Sequence, residues 1–292
     1  MATRHMRLEL YSIHAHVDTA AQIDYAAFFD SMAQALKGYH FEEGARQVAI
    51  GRVVSLSGKL FLVAYTGYAE KTVLLFDLNE QKELFEATEP GRFPARKTHV
   101  LIDPQRRLLL IESMRGHLHP EDLAVALEAV GRKMPGFETL ELNFNPVADS
   151  EFIRQIDQFQ RIQSATVTMA RPNVDWTERH HQLTEVADES NAKAIDVTVR
   201  SKRGKTLSKD AGLVQFVKQF AALPMSIFKR ISITGARDED GGLITLNLSK
   251  HIEHLDLLTP INPETGQPNE SDVRQNMESY LATKENQDAS SS

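Results

Sequence analysis

Cysteine is absent from all 292 residues. That removes disulfides, thiol nucleophiles, zinc–thiolate sites and iron–sulfur clusters together, and it fits a reducing compartment. Long apolar runs are lacking as well. "LFLVAY" and "LLLI" fall far short of the ~20 apolar residues of a membrane span. The opening "MATRHMRLELYSIHAH" has no apolar core of the kind a secretory signal needs. A cytoplasmic protein with no direct membrane insertion is expected. The chain contains no GxSxG, HExxH or GxGxxG and no glycosidase-type carboxylate pair, so no cofactor is expected from motifs.

What is present is an ordinary globular mixture, 41% hydrophobic and 25% charged, with a bias toward acid. There are 33 Lys+Arg against 40 Asp+Glu. The bases are unevenly spread. From Lys193 to Gly235 nine bases face two acids, Asp196 and Asp210, a local +7 that leaves −14 for the remainder of a −7 chain. Such asymmetry points to a confined anion-binding surface on a self-repelling body.

Periodicity predicts mixed elements. "RLELYSIHAHV" alternates as a strand, and "IDYAAFFDSMAQALKG" carries helical spacing with a stop at Gly38. The region from Gln47 to Ala87 reads as an antiparallel meander with turns at Ser57-Gly58 and Gly67. "TEPGRFPAR" is a loop and a subdomain border. Beyond it come a hairpin turning at Asp103-Pro104-Gln105-Arg106, a helix over "HPEDLAVALEAVGRKM" with Pro120, Glu121 and Asp122 in its first turn, the strand "FETLELNFNPV", and a short helix capped by Asp149 or Ser150. There follow the strand "QSATVTMARPN", an exposed helix over "WTERHHQLTEVADESNAKA", the strand "AIDVTVRS", and the helix "GLVQFVKQFAAL" with Leu213, Phe216, Val217 and Phe220 on its apolar face. The hairpin "FKRISITGARDEDGGLITLNLSKH" precedes a C-terminal helix and a disordered tail, "DASSS". The expected class is α+β, mostly antiparallel sheets with helices packed on one face. The expected organisation is an N-terminal subdomain over 1–90, a mixed domain over 95–260, and a helix plus tail over 261–292.

Four constellations carry chemistry. The loop "SKRGKTLSKDAG" holds Gly204-Lys205-Thr206, the end of a phosphate-loop motif. The glycine that motif needs five residues earlier is Val199, inside a strand, so a nucleoside-triphosphate site is not indicated. The same loop suits phosphate-backbone contact, with Arg200, Lys202, Arg203, Lys205 and Lys209 as the cations and Lys229 and Arg230 in support. The helix opening near Gly212 offers its amides as a further phosphate site. A solvated basic turn is the plain alternative. His14, His16 and Asp18 alternate onto one strand face, a metal-compatible set without a companion cluster. "GHLHPE", "RHHQ" and "HIEH" are weaker, since His251 and His254 lie three apart rather than four. Asp103 and Glu112 flank a hairpin and suit a divalent metal in a nuclease, but Met114 stands where such sites place a lysine. Phe216 and Phe220 are core candidates rather than a base-stacking platform.

The stretches "RKTHVLIDPQRRLLLIESMRGH", "FIRQIDQFQRIQSATVTMARPN", "IDVTVRSKRGKTLSKDAGLVQFVKQFA" and "FKRISITGARDEDGGLITLNLSKH" together give the chain, over about residues 95 to 260, an order of elements that resembles the RexA and KwaB type of phage-exclusion and antiphage-defence proteins. The resemblance implies a non-catalytic, dimeric DNA-binding sensor in bacterial antiphage defence, sometimes with a membrane-protein partner. It transfers no functional residue. The expectation is a homodimer that binds nucleic acid, duplex DNA above all, independently of sequence. The alternatives are a metal-dependent nuclease using Asp103 and Glu112, or a protein-interaction scaffold whose basic loop meets an acidic partner.

Overall fold

The computed structural model describes residues 2–18, 23–43, 46–70, 72–77, 81–170, 194–223, 226–238 and 241–290. Among them are fourteen strands and five α-helices. Every strand pairing is antiparallel, as the α+β reading expects.

A large sheet is organised around β1 (Thr3–His16), a fourteen-residue strand. One edge of β1 pairs with β8 (Leu108–Glu112). Its other edge is shared end to end by β14 (His254–Pro260) and β9 (Glu141–Pro146). From β8 the order continues through β7 (Ala95–Asp103), β4 (Lys59–Tyr68) and β3 (Arg46–Leu56) to β2 (His40–Glu43). The loop "TEPGRFPAR" therefore leads into a strand that pairs with β4, and the sheet draws on residues from both sides of it. Of the two expected meander turns, Ser57-Gly58 is a turn with φ of 39° and 85°. Gly67 is not a turn. It lies inside β4, where a Cβ would stand 2.1 Å from the Pro94 carbonyl oxygen. The β5 (Thr72–Asp77) and β6 (Lys82–Ala87) strands leave the sheet and, among the described residues, pair only with each other.

The two faces of β1 feed two cores. Ile13 and Ala15 meet α1 (Tyr25–Leu36) and α2 (Pro120–Gly131) through Phe28, Phe29, Met32, Leu123 and Leu127. Met6, Leu8 and Leu10 meet α5 (Glu270–Ser290) through Val273, Met277 and Leu281, a four-residue spacing that keeps one stripe of the helix inward. Helices thus cover both faces of this sheet, where one face was expected. The helix α5 also runs through Asp288–Ser290, the start of the expected disordered tail. Arg106 Nη1 donates to the Leu281 carbonyl and Tyr280 donates to Glu253 at 2.7 Å, which fixes the helix register.

The second sheet has the order β11 (Ala194–Arg200), β10 (Arg161–Ala170), β12 (Phe228–Ala236), β13 (Ile244–Asn247). Its inward residues Ala165, Val167, Ile231 and Ile233 pack on α3 (Ser150–Gln158) and α4 (Gly212–Phe220), so among the described residues the helices of this sheet sit on one face. Asp149 caps α3 by accepting from Phe152 N at 2.6 Å. Ser226, just before β12, ties the sheets together by accepting from Ser12 Oγ and lying 2.9 Å from His14 Nε2. The expected helix over "WTERHHQLTEVADESNAKA", with "RHHQ", falls almost wholly outside the described residues. No helix among the described residues is long and apolar enough to cross a membrane.

Candidate nucleic-acid interface

Period-two alternation puts every second residue of the second sheet on the face away from α3 and α4. On that face the cross-strand rows are Arg200–Ser164–Thr234–Thr245, Thr198–Thr166–Ser232–Asn247 and Asp196–Thr168–Arg230. None of these residues is fully buried. The hydroxyls pair across strands: Thr166 Oγ1 lies 3.1 Å from Thr198 Oγ1, and Thr234 Oγ1 lies 2.9 Å from Thr245 Oγ1. Thr168 donates to Asp196 at 2.5 Å, which engages the one carboxylate of the face. Arg200 and Arg230 are both exposed. Their rows are separated by the step from Ser164 to Thr168, about 13 Å along the strand.

The basic turn continues directly from the Arg200 end. Gly204 takes φ +73°, a conformation that glycine adopts without strain, and Lys205 N donates to the Lys202 carbonyl at 2.9 Å. Thr206 Oγ1 then accepts from Ile162 N at 2.8 Å, and Leu207 N donates to the Ile162 carbonyl at 2.9 Å. The chain is pinned back onto β10 on the far side of the turn. Thr206 is thereby committed to the backbone rather than to a phosphate loop. Lys202, Arg203 and Lys205 project from this anchored turn, all exposed.

The remaining bases divide. Lys209 Nζ donates to the Asp157 carbonyl at 2.9 Å. Lys218 lies 2.6 Å from Asp157 and 3.7 Å from Asp210, and its hydrogen bond to Asp157 raises its pKa above the ordinary lysine value. These two turn toward the body of the unit. Lys229 is half-buried at the bulge that register skips between Thr168↔Arg230 and Met169↔Phe228. Arg200, Lys202, Arg203, Lys205 and Arg230 have no carboxylate partner among the described residues. The N-cap of α4, Ala211, supplies no side-chain hydrogen bond to the helix amides.

The other sequence candidates have different surroundings. Phe216 packs 5.0 Å from Phe220 and 5.3 Å from Phe228, inside the second core. Asp103 and Glu112 sit at opposite ends of the β7–β8 hairpin, because Asp103 pairs with Leu108 and Glu112 follows four residues later, about 13 Å away. Asp103 accepts from Arg106 N at 3.2 Å as a turn residue. Glu112 lies 2.7 Å from His99 Nδ1. The structure does not bring them together around one ion. His14 is buried with Nε2 on the Ser226 carbonyl, while His16 lies 3.7 Å from Asp18. His251 lies 3.6 Å from Asp149 and His254 3.5 Å from Asp256. No group of three or more His, Asp or Glu side chains arranged to hold a metal ion occurs among the described residues.

Sequence reasoning found the turn but not the shared hydroxyl face. Its signal was the alternation of Ser and Thr in "QSATVT", "DVTV" and "SIT", legible only once the three strands are known to be neighbours.

A family model matches residues 4–222, three quarters of the chain, and is described as a domain of unknown function, DUF4747. No curated protein matches the chain. The matched span runs from β1 through α4 and so includes the turn and Arg200, while Arg230 lies beyond it. The chain belongs to the DUF4747 family.

Proposed function

We propose that this protein binds duplex DNA, independently of sequence, through the open face of the second sheet and the Lys202–Lys205 turn. The observation that supports this most is the set of five cations without carboxylate partners among the described residues, held on one exposed face and its adjoining turn in a chain of net charge −7. Phosphates are the matching counter-charge. The Ser and Thr rows supply neutral donors of the kind that bind phosphate oxygens without reading bases. No aromatic side chain stands on the three rows, so the duplex backbone fits better than unstacked bases. A role as a homodimeric sensor in antiphage defence extends the same proposal. It follows from the resemblance and is tested separately, by sedimentation and by phage plating.

The direct test is fluorescence anisotropy of a labelled duplex across a salt series. Five phosphates neutralised give a slope of log affinity on log salt of about −4.5, or about 500-fold loss between 50 and 200 mM. Changing Lys202, Arg203 and Lys205 together to Gln leaves two contacts and a slope of about −1.8. A flat slope in the unmodified protein, or an unchanged slope in the triple variant, refutes the proposal. Co-purification of an acidic protein without nucleic acid would favour the scaffold instead.

A further inference from the structure

A second basic site lies on the large sheet. A cavity of about 540 Å3 opens where β3 begins, β4 ends, β7 begins and the β8–α2 loop passes. Arg96 and Arg115 both line it, and neither has a carboxylate partner among the described residues. Arg96 Nη1 donates to the Arg115 carbonyl, which holds its guanidinium against the loop. Gly116 makes that approach feasible: it takes φ +80°, and a Cβ there would stand 2.9 Å from Arg96 Nη1. Arg46 also lines the cavity, but Asp122 pairs with it at 2.8 Å.

A buried polar group in the same wall lacks a partner. His117 is 5% exposed, and its Nδ1 is enclosed without a hydrogen bond. The nearest carboxylate oxygen, Glu112 Oε1, is 3.6 Å away, too long for a hydrogen bond. The ring's Nε2 is not among the enclosed atoms and makes no bond to the described residues. Two guanidiniums and an imidazole around one void form a site for an oxyanion, and the guanidinium fork matches phosphate oxygens two at a time. The void is larger than a free oxyanion fills and falls in the size range of small-molecule pockets. Tyr68, 58% exposed, stands at its edge as a face for a planar ring. Glu70, also in the lining, is an acceptor for sugar hydroxyls.

We propose that this cavity binds a nucleoside monophosphate, with Arg96, Arg115 and His117 on the phosphate and Tyr68 against the base. The site is separate from the face proposed for DNA and does not depend on it.

Isothermal titration of the full chain with each common ribonucleoside 5′-monophosphate tests this, with the parent nucleosides and inorganic phosphate as comparisons. At least one monophosphate is expected to bind, at least tenfold tighter than its nucleoside and than inorganic phosphate. Arg115→Gln, at an exposed loop position, is expected to weaken it at least tenfold while leaving the thermal midpoint of the unliganded protein unchanged. Tyr68→Ala is expected to weaken the monophosphate but not inorganic phosphate. The Lys202, Arg203 and Lys205 triple variant should bind it as the unmodified protein does. The proposal is overturned if no monophosphate binds at millimolar concentration, if nucleoside or inorganic phosphate binds as tightly, or if Arg115→Gln binds undiminished. Loss of binding in the triple variant would also overturn it, because the ligand would then sit on the other sheet.

Discussion

His14 makes the junction between the two sheets sensitive to acid. Its ring is buried, with Nε2 2.9 Å from the Ser226 carbonyl and 3.2 Å from Ser12 Oγ. Burial, reinforced by Arg107, moves its pKa from 6.5 down to about 4, against the opposing effect of the Ser226 hydrogen bond. The folded state therefore holds His14 neutral through a range in which the unfolded chain protonates it. Its contribution to stability is fully present above pH 6.5 and is lost progressively as pH falls to about 4. At roughly 1.4 kcal/mol for each pH unit, the loss is about 3 kcal/mol. Other groups titrate over the same window, so the measurement is a difference. Urea unfolding of the unmodified protein and of His14→Gln, whose amide keeps a donor for Ser226 but does not titrate, is compared at intervals from pH 7 to pH 4. The advantage of the unmodified protein should shrink by about 3 kcal/mol across that range. A difference that stays constant within about 0.5 kcal/mol would refute the assignment of a neutral, buried His14.

Gly235→Ala would place a Cβ 2.5 Å from the Arg161 carbonyl oxygen and 2.9 Å from Phe159, and urea unfolding should show a loss of about 2–3 kcal/mol. Glu112→Ala removes the buried partner of His99 and should cost about 3–5 kcal/mol in the same assay, so any phenotype of this variant reads as instability before it reads as lost catalysis. Changing Lys209 and Lys218 together to Ala should lower duplex affinity less than twofold in the anisotropy assay, because both ammonium groups already face Asp157.

Local signals in the sequence were read correctly where they needed no partner. Asp149 as a cap and Pro120 in a first turn are contact-range features. The strand β14 was missed, although Leu255 and Leu257 alternate within it, because what makes it a strand is the edge of β1, some 250 residues away in sequence. Gly67 was misread for the same reason. A glycine at a predicted strand end signals a turn, whereas here it admits the carbonyl of Pro94, the residue just before the neighbouring strand β7. For the site, charge alone located the turn, and no sequence rule could have divided its bases. Lys205 and Lys209 look alike in the chain, and only the position of Asp157 turns one outward and the other inward.

One physical explanation competes with polyanion binding for the bases at the end of β11. Among the described residues that strand is the edge of its sheet, and charged side chains on edges discourage pairing with other chains. Arg200 and the turn fit either reason. Arg230 fits only one of them. It lies on β12, two strands in from β11, on a stretch that β13 does not reach because that pairing covers only Ser232–Gly235, so it does not guard the β11 edge. Yet it faces the same open surface as Arg200, in the row Asp196–Thr168–Arg230. Replacing Arg230 with Ala therefore separates the two explanations. If the face meets phosphates, duplex affinity falls and the salt slope loses about 0.9, with no change in sedimentation. If the bases only guard an edge, Arg230→Ala changes neither, while Arg200→Ala promotes self-association. Unaltered duplex binding by Arg230→Ala would confine any contact to the turn and remove the sheet face from the proposed interface.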